Sequence, residues 1–163
     1  MVNQNKNTTN QILADSIKAL VLTKPVEKIT IKEITDRAGV IRPTFYNHFQ
    51  DKYELLEWII RTEILEPAHP LIRNGLTNQA VLLVFTSLLR EKDFYSRLSR
   101  MDGPVTFEDM VVKCIKDVLV EIFSEHPRQK NGKFPWMSVD MLAEHYARSM
   151  CFAVKVWIRQ GMT

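Results

Sequence analysis

Residues 42–52 hold side chains that suit a nucleic-acid surface: Arg42, Pro43, Thr44, Tyr46, Asn47, His48 and Lys52. An arginine can fork onto a guanine edge, an asparagine can pair with adenine, and Thr or Pro can touch a thymine methyl. Thr44, Tyr46 and His48 can donate to phosphate oxygens, and Lys52 adds a positive charge. Such contacts need a stiff helix with these groups on its outer face. Phe45 and Phe49 lie four residues apart, so they fall on one side of that helix and point inward. Arg42, Pro43, Thr44 and Asn47 then face out.

The residues just before supply the scaffold. Ile29 and Ile31 alternate as a strand would, but Thr30-Ile31-Lys32-Glu33 has capping-box spacing. The Thr30 hydroxyl can accept from the Glu33 amide while the Glu33 side chain reaches back. Ile31, Ile34 and Ala38 share a helical face, which predicts a short helix over 31–38. Gly39 stands where a helix ends in a left-handed turn, and Val40 is placed to plug between two helices. Pro43 falls in the first turn of the next helix, where its missing N–H costs nothing. Two short helices around Ala38-Gly39-Val40 make a helix-turn-helix. The pattern also fits an ordinary helical corner with a solvated face. Charge does not decide between them, because residues 1–60 carry eight Lys/Arg against seven Asp/Glu. On the DNA reading, the acids lie away from the DNA face.

The elements around this motif are helical. Residues 1–9 are polar and aperiodic and read as a flexible arm. A first helix over 10–22 carries an apolar stripe of Ile12, Leu13, Ile17, Leu20 and Val21, and Pro25 stops it. Asp51 caps a longer helix bearing Leu55, Leu56, Ile59, Ile60 and Ile64, with Pro67 and Pro70 as its expected end. Gln79 to Arg90 is apolar on nearly every side, the mark of a helix inside a bundle. A short helix follows over 93–101, and Asp102-Gly103-Pro104 is a turn. Thr106 caps a long helix, Pro127 to Pro135 reads as a solvated basic loop, and Ser138 caps a last helix to about Gln160. That last helix has more apolar surface than one side can bury, with Phe152 off its main stripe. With the helix over 106–125 it is therefore expected to form a homodimer interface.

Composition agrees and excludes other classes. The chain has 163 residues, 45% of them apolar, enough for a real core. Five Gly and seven Pro are few beside the roughly 12% of an average protein, which favours long helices over many short strands. A net charge of +3 is compatible with an anionic partner without demanding one. The longest apolar run, Ala80 to Phe85, is too short to cross a bilayer. The N-terminus lacks the apolar core of a secretory signal. Cys114 and Cys151 cannot build a disulfide framework or a four-ligand zinc site alone. They read as buried small hydrophobes, with a redox switch the minor alternative. His145 beside Glu144 lacks the second His, four residues on, of a helical metalloprotease, because position 149 is Ser. No nucleophile or metal constellation is visible, so neither an enzyme nor a cofactor is expected. Trp58, Phe85, Phe94 and Tyr146 are candidates to line a ligand pocket between helices, although each alone suits plain core.

The run Ile29-Thr30-Ile31-Lys32-Glu33-Ile34, then Ala38-Gly39-Val40, Thr44-Phe45-Tyr46-Asn47-His48-Phe49, Asp51-Lys52 and Leu55-Leu56 resembles the TetR family of bacterial transcription regulators. The likeness covers about residues 10–60, and beyond them the chain is similar in plan only. Phe94-Tyr95 and Trp157-Ile158 with Gly161-Met162 resemble the branch that includes activators of dihydroxyacetone-utilisation genes. The resemblance implies phosphate contacts from Thr30, Thr44, Tyr46 and Lys52, base reading by Lys32, Arg42, Pro43 and Asn47, and His48 near the DNA backbone. Ile41 departs from the frequent Ser or Thr at the helix cap, and Pro43 from the frequent Gly or Ala. The family usually has a further helix after the Trp157 to Gly161 segment, and this chain stops at Thr163.

The expected fold is all-α. A three-helix helix-turn-helix domain with its arm spans 1–50, a connecting helix 51–66, and a helical effector and dimerisation domain 67–163. The expected function is a cytoplasmic, DNA-binding regulator that reads a palindromic duplex operator as a homodimer. A small-molecule effector or a co-regulator protein would modulate it, and no membrane is involved. The alternative is a protein-binding co-regulator that keeps the fold without DNA affinity.

Overall fold

A computed structural model describes residues 2–125 and 138–163. The described residues form helices and turns, with one isolated bridge between Asp102 and Thr106 and no strand. The helices are α1 (Val2–Val21), α2 (Ile31–Ala38), α3 (Arg42–Tyr46), α4 (Lys52–Ile60), α5 (Glu66–Arg73), α6 (Thr77–Arg90), α7 (Lys92–Leu98), α8 (Phe107–Glu125) and α9 (Val139–Arg159). We call α1–α3 the head and the part beyond α4 the body. The expected basic loop, Pro127 to Pro135, lies outside the described residues.

The caps written in the sequence are made. The Thr30 hydroxyl accepts from the Glu33 amide at 3.3 Å, and Glu33 Oε2 accepts from the Thr30 amide at 2.9 Å. Asp51 accepts from the amides of Tyr53 and Glu54. Thr106 and Asp109 form the same reciprocal pair at the start of α8, and Ser138 accepts from the Met141 amide. Each side chain satisfies backbone donors that a helix start leaves unpaired.

Four sequence expectations are corrected. Residues 2–9 continue α1 as helix and are not an irregular arm; the stretch holds no Gly or Pro to break it. Ile12 leaves the expected stripe for solvent, and Leu13, Ala14, Ile17 and Val21 carry the burial. Pro67 and Pro70 do not end the connector. A π-helical turn over Arg61–Leu65 joins α4 to α5, with the Glu66 amide donating five residues back to Arg61. The widened turn shifts the backbone register just before Pro67, which enters α5 in its first turn, where no N–H is needed. Finally, α6 is not wrapped on all sides. Only Ala80 and Leu88 are fully buried on it, while Leu82 is 68% exposed and Val81 and Leu89 are exposed beside it.

The buried side chains of head and body form one continuous cluster, from Leu13 and Ile17 through Phe45, Leu55 and Ile59 to Met110, Cys114 and Cys151. α8 and α9 run antiparallel, since Glu108 meets Lys155 at 2.5 Å while Lys116 meets Asp140 at 2.9 Å. The face of α9 turned inward is mostly small, with Ala143, Ala147, Cys151 and Ile158 buried. The small side chains let the two axes approach closely.

Candidate nucleic-acid interface

Helix α3 is only five residues long, so its orientation depends on what it packs against. Phe45 is fully buried and Phe49 nearly so. Their rings lie 5.9 Å apart, and Phe49 rests on Trp58 of α4 at 6.1 Å. Val40 packs partly buried against the same core. Gly39 has φ 67°, a left-handed turn that sends the chain from α2 into α3 with little backbone cost for glycine. Ile41 precedes α3 with no side-chain cap bond, and Pro43 sits in the first turn with its φ preset.

This packing leaves Arg42, Pro43, Tyr46 and Asn47 exposed and Thr44 half-buried. Tyr46 is 57% exposed although aromatic. Its ring edge meets Phe45 at 5.7 Å, which orients the phenol outward. Among the described residues, no side-chain hydrogen bond or ion pair engages Arg42, Thr44, Tyr46 or Asn47. These five residues are brought together on one outward face.

The other four expected residues are placed differently. Thr30 is occupied as the cap of α2. Its partner Glu33 also takes an ion pair from Lys24, and these hydrogen bonds hold its carboxyl down at about 2. Lys32 is exposed on α2 but pairs with Asp36 one turn on at 2.6 Å. His48 bonds through Nδ1 to Asn10 Oδ1 of α1 at 2.6 Å, which ties the end of α3 to the first helix.

Lys52 departs most from expectation. Its ammonium donates to the carbonyls of Val26, Glu27 and Ile29 at 2.7, 3.0 and 2.8 Å. These close the 3-10 turn Val26–Lys28 that leads into Thr30. All three N–H donors are thereby spent inside the head. Burial lowers its pKa, against the pull of Glu27 and Asp51. Lys52 therefore holds the turn in place, where a phosphate contact was expected.

Two groups that sequence reasoning missed belong to this construction. Asn10 is a buried polar residue, which no periodicity reveals. Lys28 is exposed on the turn just before α2, without an ion pair among the described residues, and a map of charge around the motif could have flagged it.

The four expected pocket aromatics are not brought together. Trp58 packs on Phe49 in the head. Phe85 meets Trp157 at 4.8 Å, and Tyr146 meets Phe123 at 6.1 Å. Phe94 is buried beneath Lys18, whose ammonium lies 5.8 Å from the ring centre. An open groove of about 490 Å³ lies between α8 and α9, but Lys113, Lys116, Asp140, Glu144 and Arg148 line it and none of the four aromatics does. Both cysteines are buried.

Head and body are joined through polar groups as well as core. Lys18 of α1 donates to Glu63 in the π-helical turn at 2.5 Å and to Glu91 between α6 and α7 at 2.8 Å. Burial opposes the Lys18 charge, but these two bonds outweigh it and raise its pKa. Glu27 Oε1 accepts from the Asp102 amide at 2.9 Å, linking the turn before α2 to the loop before α8.

Comparison with known proteins matches this arrangement. Residues 14–59 match the model described as "Bacterial regulatory proteins, tetR family", and residues 77–163 match a "Transcriptional regulator C-terminal region". The chain is 25% identical over 160 residues to the HTH-type dhaKLM operon transcriptional activator DhaS of Lactococcus lactis subsp. lactis (strain IL1403), covering 94% of this chain and 81% of that protein. It is 32% identical over 76 residues to the transposon Tn10 TetC protein of Escherichia coli, covering 46% of this chain and 39% of that one. Among solved structures it resembles the dihydroxyacetone kinase operon activator DhaS, with a TM-score of 0.58, 23% identity, and 94% of this chain and 85% of that chain covered. It also resembles NalD, the secondary repressor of the MexAB-OprM multidrug efflux pump in Pseudomonas aeruginosa, with a TM-score of 0.58, 19% identity, and 95% and 86% covered. The outward α3 face, its capped helix-turn-helix scaffold and the helical body thus belong together: the chain is a member of the TetR family of transcriptional regulators, a family of regulators and not of enzymes.

Proposed function

We propose that this chain binds a palindromic duplex operator in the cytoplasm as a homodimer, with α3 of each protomer in a major groove. The observation that carries the reading is the α3 face itself. Arg42, Pro43, Thr44, Tyr46 and Asn47 project together from a helix held by Phe45 and Phe49, and their donors are not consumed elsewhere. Arg42, Pro43 and Asn47 suit base edges, while Thr44 and Tyr46 suit phosphates. Thr30 and Lys32 border this face from α2, and His48 holds it to α1.

One five-residue helix reads too few bases to define a genomic site, so two copies are needed. The apolar excess of α9 supports a two-fold contact. Met141 and Phe152 are exposed along one edge of its buried stripe and Val139, Tyr146 and Met150 along the other, with Phe152 at 69%. The Lys18–Glu63–Glu91 and Glu27–Asp102 links support modulation by a ligand or partner of the body, acting by favouring one spacing of the two heads. Likeness to DhaS over nearly the whole chain supports dihydroxyacetone use as the setting, with activation as the direction.

The test is selection of duplexes from a random pool, followed by sedimentation of protein and complex. An inverted repeat bound by two protomers is expected. Phe152→Glu should split the dimer and weaken operator binding while helix content stays. A parent that sediments as a monomer at micromolar concentration and selects no repeat would refute the reading. The alternative, a protein-binding co-regulator, draws on one observation: Lys24, Lys32 and Lys52 are all engaged within the head. It predicts no salt-dependent duplex binding.

A further inference from the structure

We propose that the cleft between the head and the body, beside the turn that leads into α2, binds a small phosphate-bearing organic anion. The cleft has a volume of about 250 Å³. Sites for drug-sized ligands begin at about 300 Å³, so this one suits a small metabolite. Lys24 and Glu27 line it from the α1–α2 connection, and Arg97, Arg100 and Met101 line it from the end of α7. Lys24 already pairs with Glu33 of α2, so the two arginines, against the one carboxylate of Glu27, set the sign of the ligand.

The two arginines lie three residues apart, so they share one face where α7 ends. Both are exposed, and neither has an ion pair or side-chain hydrogen bond among the described residues. Two planar forks around one concavity match the oxygens of a phosphate better than a single carboxylate would. Glu27 does not compete fully for them, because its Oε1 already accepts from the Asp102 amide. The floor is apolar, with Val21, Val26 and Met101 buried, and suits a short carbon body behind the anionic group.

The position gives binding a consequence. Lys24 lies just before, and Glu27 within, the 3-10 turn whose carbonyls Lys52 gathers, while the arginines stand on the body. An anion held by both sides fixes the head against the body. It therefore favours one head position, provided it binds the alternatives unequally. This consequence rests on the DNA-binding reading above, whereas the site itself does not.

The test uses the full chain without DNA. Inorganic phosphate and ethyl phosphate are titrated against chloride at matched ionic strength, following Tm and the arginine side-chain N–H resonances. Phosphate should raise Tm beyond the chloride control and shift the Arg97 and Arg100 resonances. Arg97→Gln with Arg100→Gln should weaken phosphate binding at least tenfold, and either single change should give an intermediate loss. Circular dichroism checks that the variants keep their helix content. Equal responses to phosphate and chloride, or equal phosphate binding by parent and variants, would overturn the site. So would a variant that changes only operator binding, with a salt slope lower by about one for each arginine, because the arginines would then serve DNA phosphates. If phosphate binds as expected but no operator is found, the site stands and the DNA reading falls.

Discussion

Changing Lys52 separates a phosphate contact from a structural clamp. The ammonium makes three bonds of 2.7–3.0 Å to backbone carbonyls of the turn before α2. A hydrogen bond involving a charged group contributes about 1.5–3 kcal/mol, and such values do not add in full. Lys52 is only half-buried, so the freed carbonyls regain some water. Lys52→Met keeps the aliphatic stem and should cost about 2–3 kcal/mol of stability. The protein should still fold, given a typical reserve of about 5–15 kcal/mol. Lys52→Arg keeps the charge but replaces a compact ammonium with a planar fork that cannot meet three converging carbonyls. It too should destabilise, though less. Urea denaturation reads the stability, and fluorescence anisotropy on an operator duplex between 50 and 200 mM salt reads binding. Affinity should fall in both variants because the turn that sets α2 has moved. The salt slope should stay, since no phosphate contact is lost. If Lys52→Met leaves stability intact and lowers the slope by about 0.9 for each protomer on the operator, the clamp is wrong and the ammonium leaves its carbonyls for DNA.

Four further outcomes follow from the same geometry. Arg42→Ala should relax specificity at one base pair per half-site by about 1–3 kcal/mol; uniform weakening across operator variants would reassign Arg42 to the phosphates. Glu33 has its folded pKa lowered to about 2, so its stabilising effect is complete above its ordinary value near 4.5 and is lost as pH falls toward 2. A carboxyl-carbon NMR titration of Glu33 should show that midpoint, with α2 amide protection fading over the same window. Burial pushes both Cys114 and Cys151 up to about 11, leaving about one thiolate in a thousand at pH 8. Ellman's reagent should therefore react only as the chain unfolds, and prompt labelling of the native protein would revive the redox switch. Gly39→Ala should cost about 1–2 kcal/mol in thermal melts; a Cβ there meets nothing within 4 Å, so the cost is the left-handed φ alone.

Local chemistry was legible in the sequence and long-range packing was not. The capping box at Thr30, the Asp51, Thr106 and Ser138 caps and the left-handed Gly39 all depend on residues within three or four positions, and each stands as the spacing predicts. The inward pair Phe45 and Phe49 was legible for the same reason. Lys52 was not, because its acceptors lie 23 to 26 residues earlier and are backbone atoms with no sequence signature. The Asn10–His48 bond spans 38 residues and is equally silent. The pocket aromatics failed for a related reason: aromatic type marks burial, but which aromatics share a space is decided by how the helices cross.

The α6 helix sharpens the point. Apolar residues on nearly every side predicted a helix enclosed in a bundle, yet Val81, Leu82 and Leu89 face outward. A run of apolar residues states how much surface resists water, not whether one chain can cover it. On α9 the same surplus predicts a second protomer, and Phe152 is 69% exposed. Applied evenly, that logic treats the apolar excess of α6 and α9 as the same kind of signal. The small inward residues of α9 let α8 approach closely, and the exposed large side chains flank that face on both edges, Met141 and Phe152 on one and Val139, Tyr146 and Met150 on the other. On α6, Val81, Leu82 and Leu89 lie within about a third of a turn of one another and form a single stripe, so apolar surplus alone does not choose α9 over α6 as the two-fold surface.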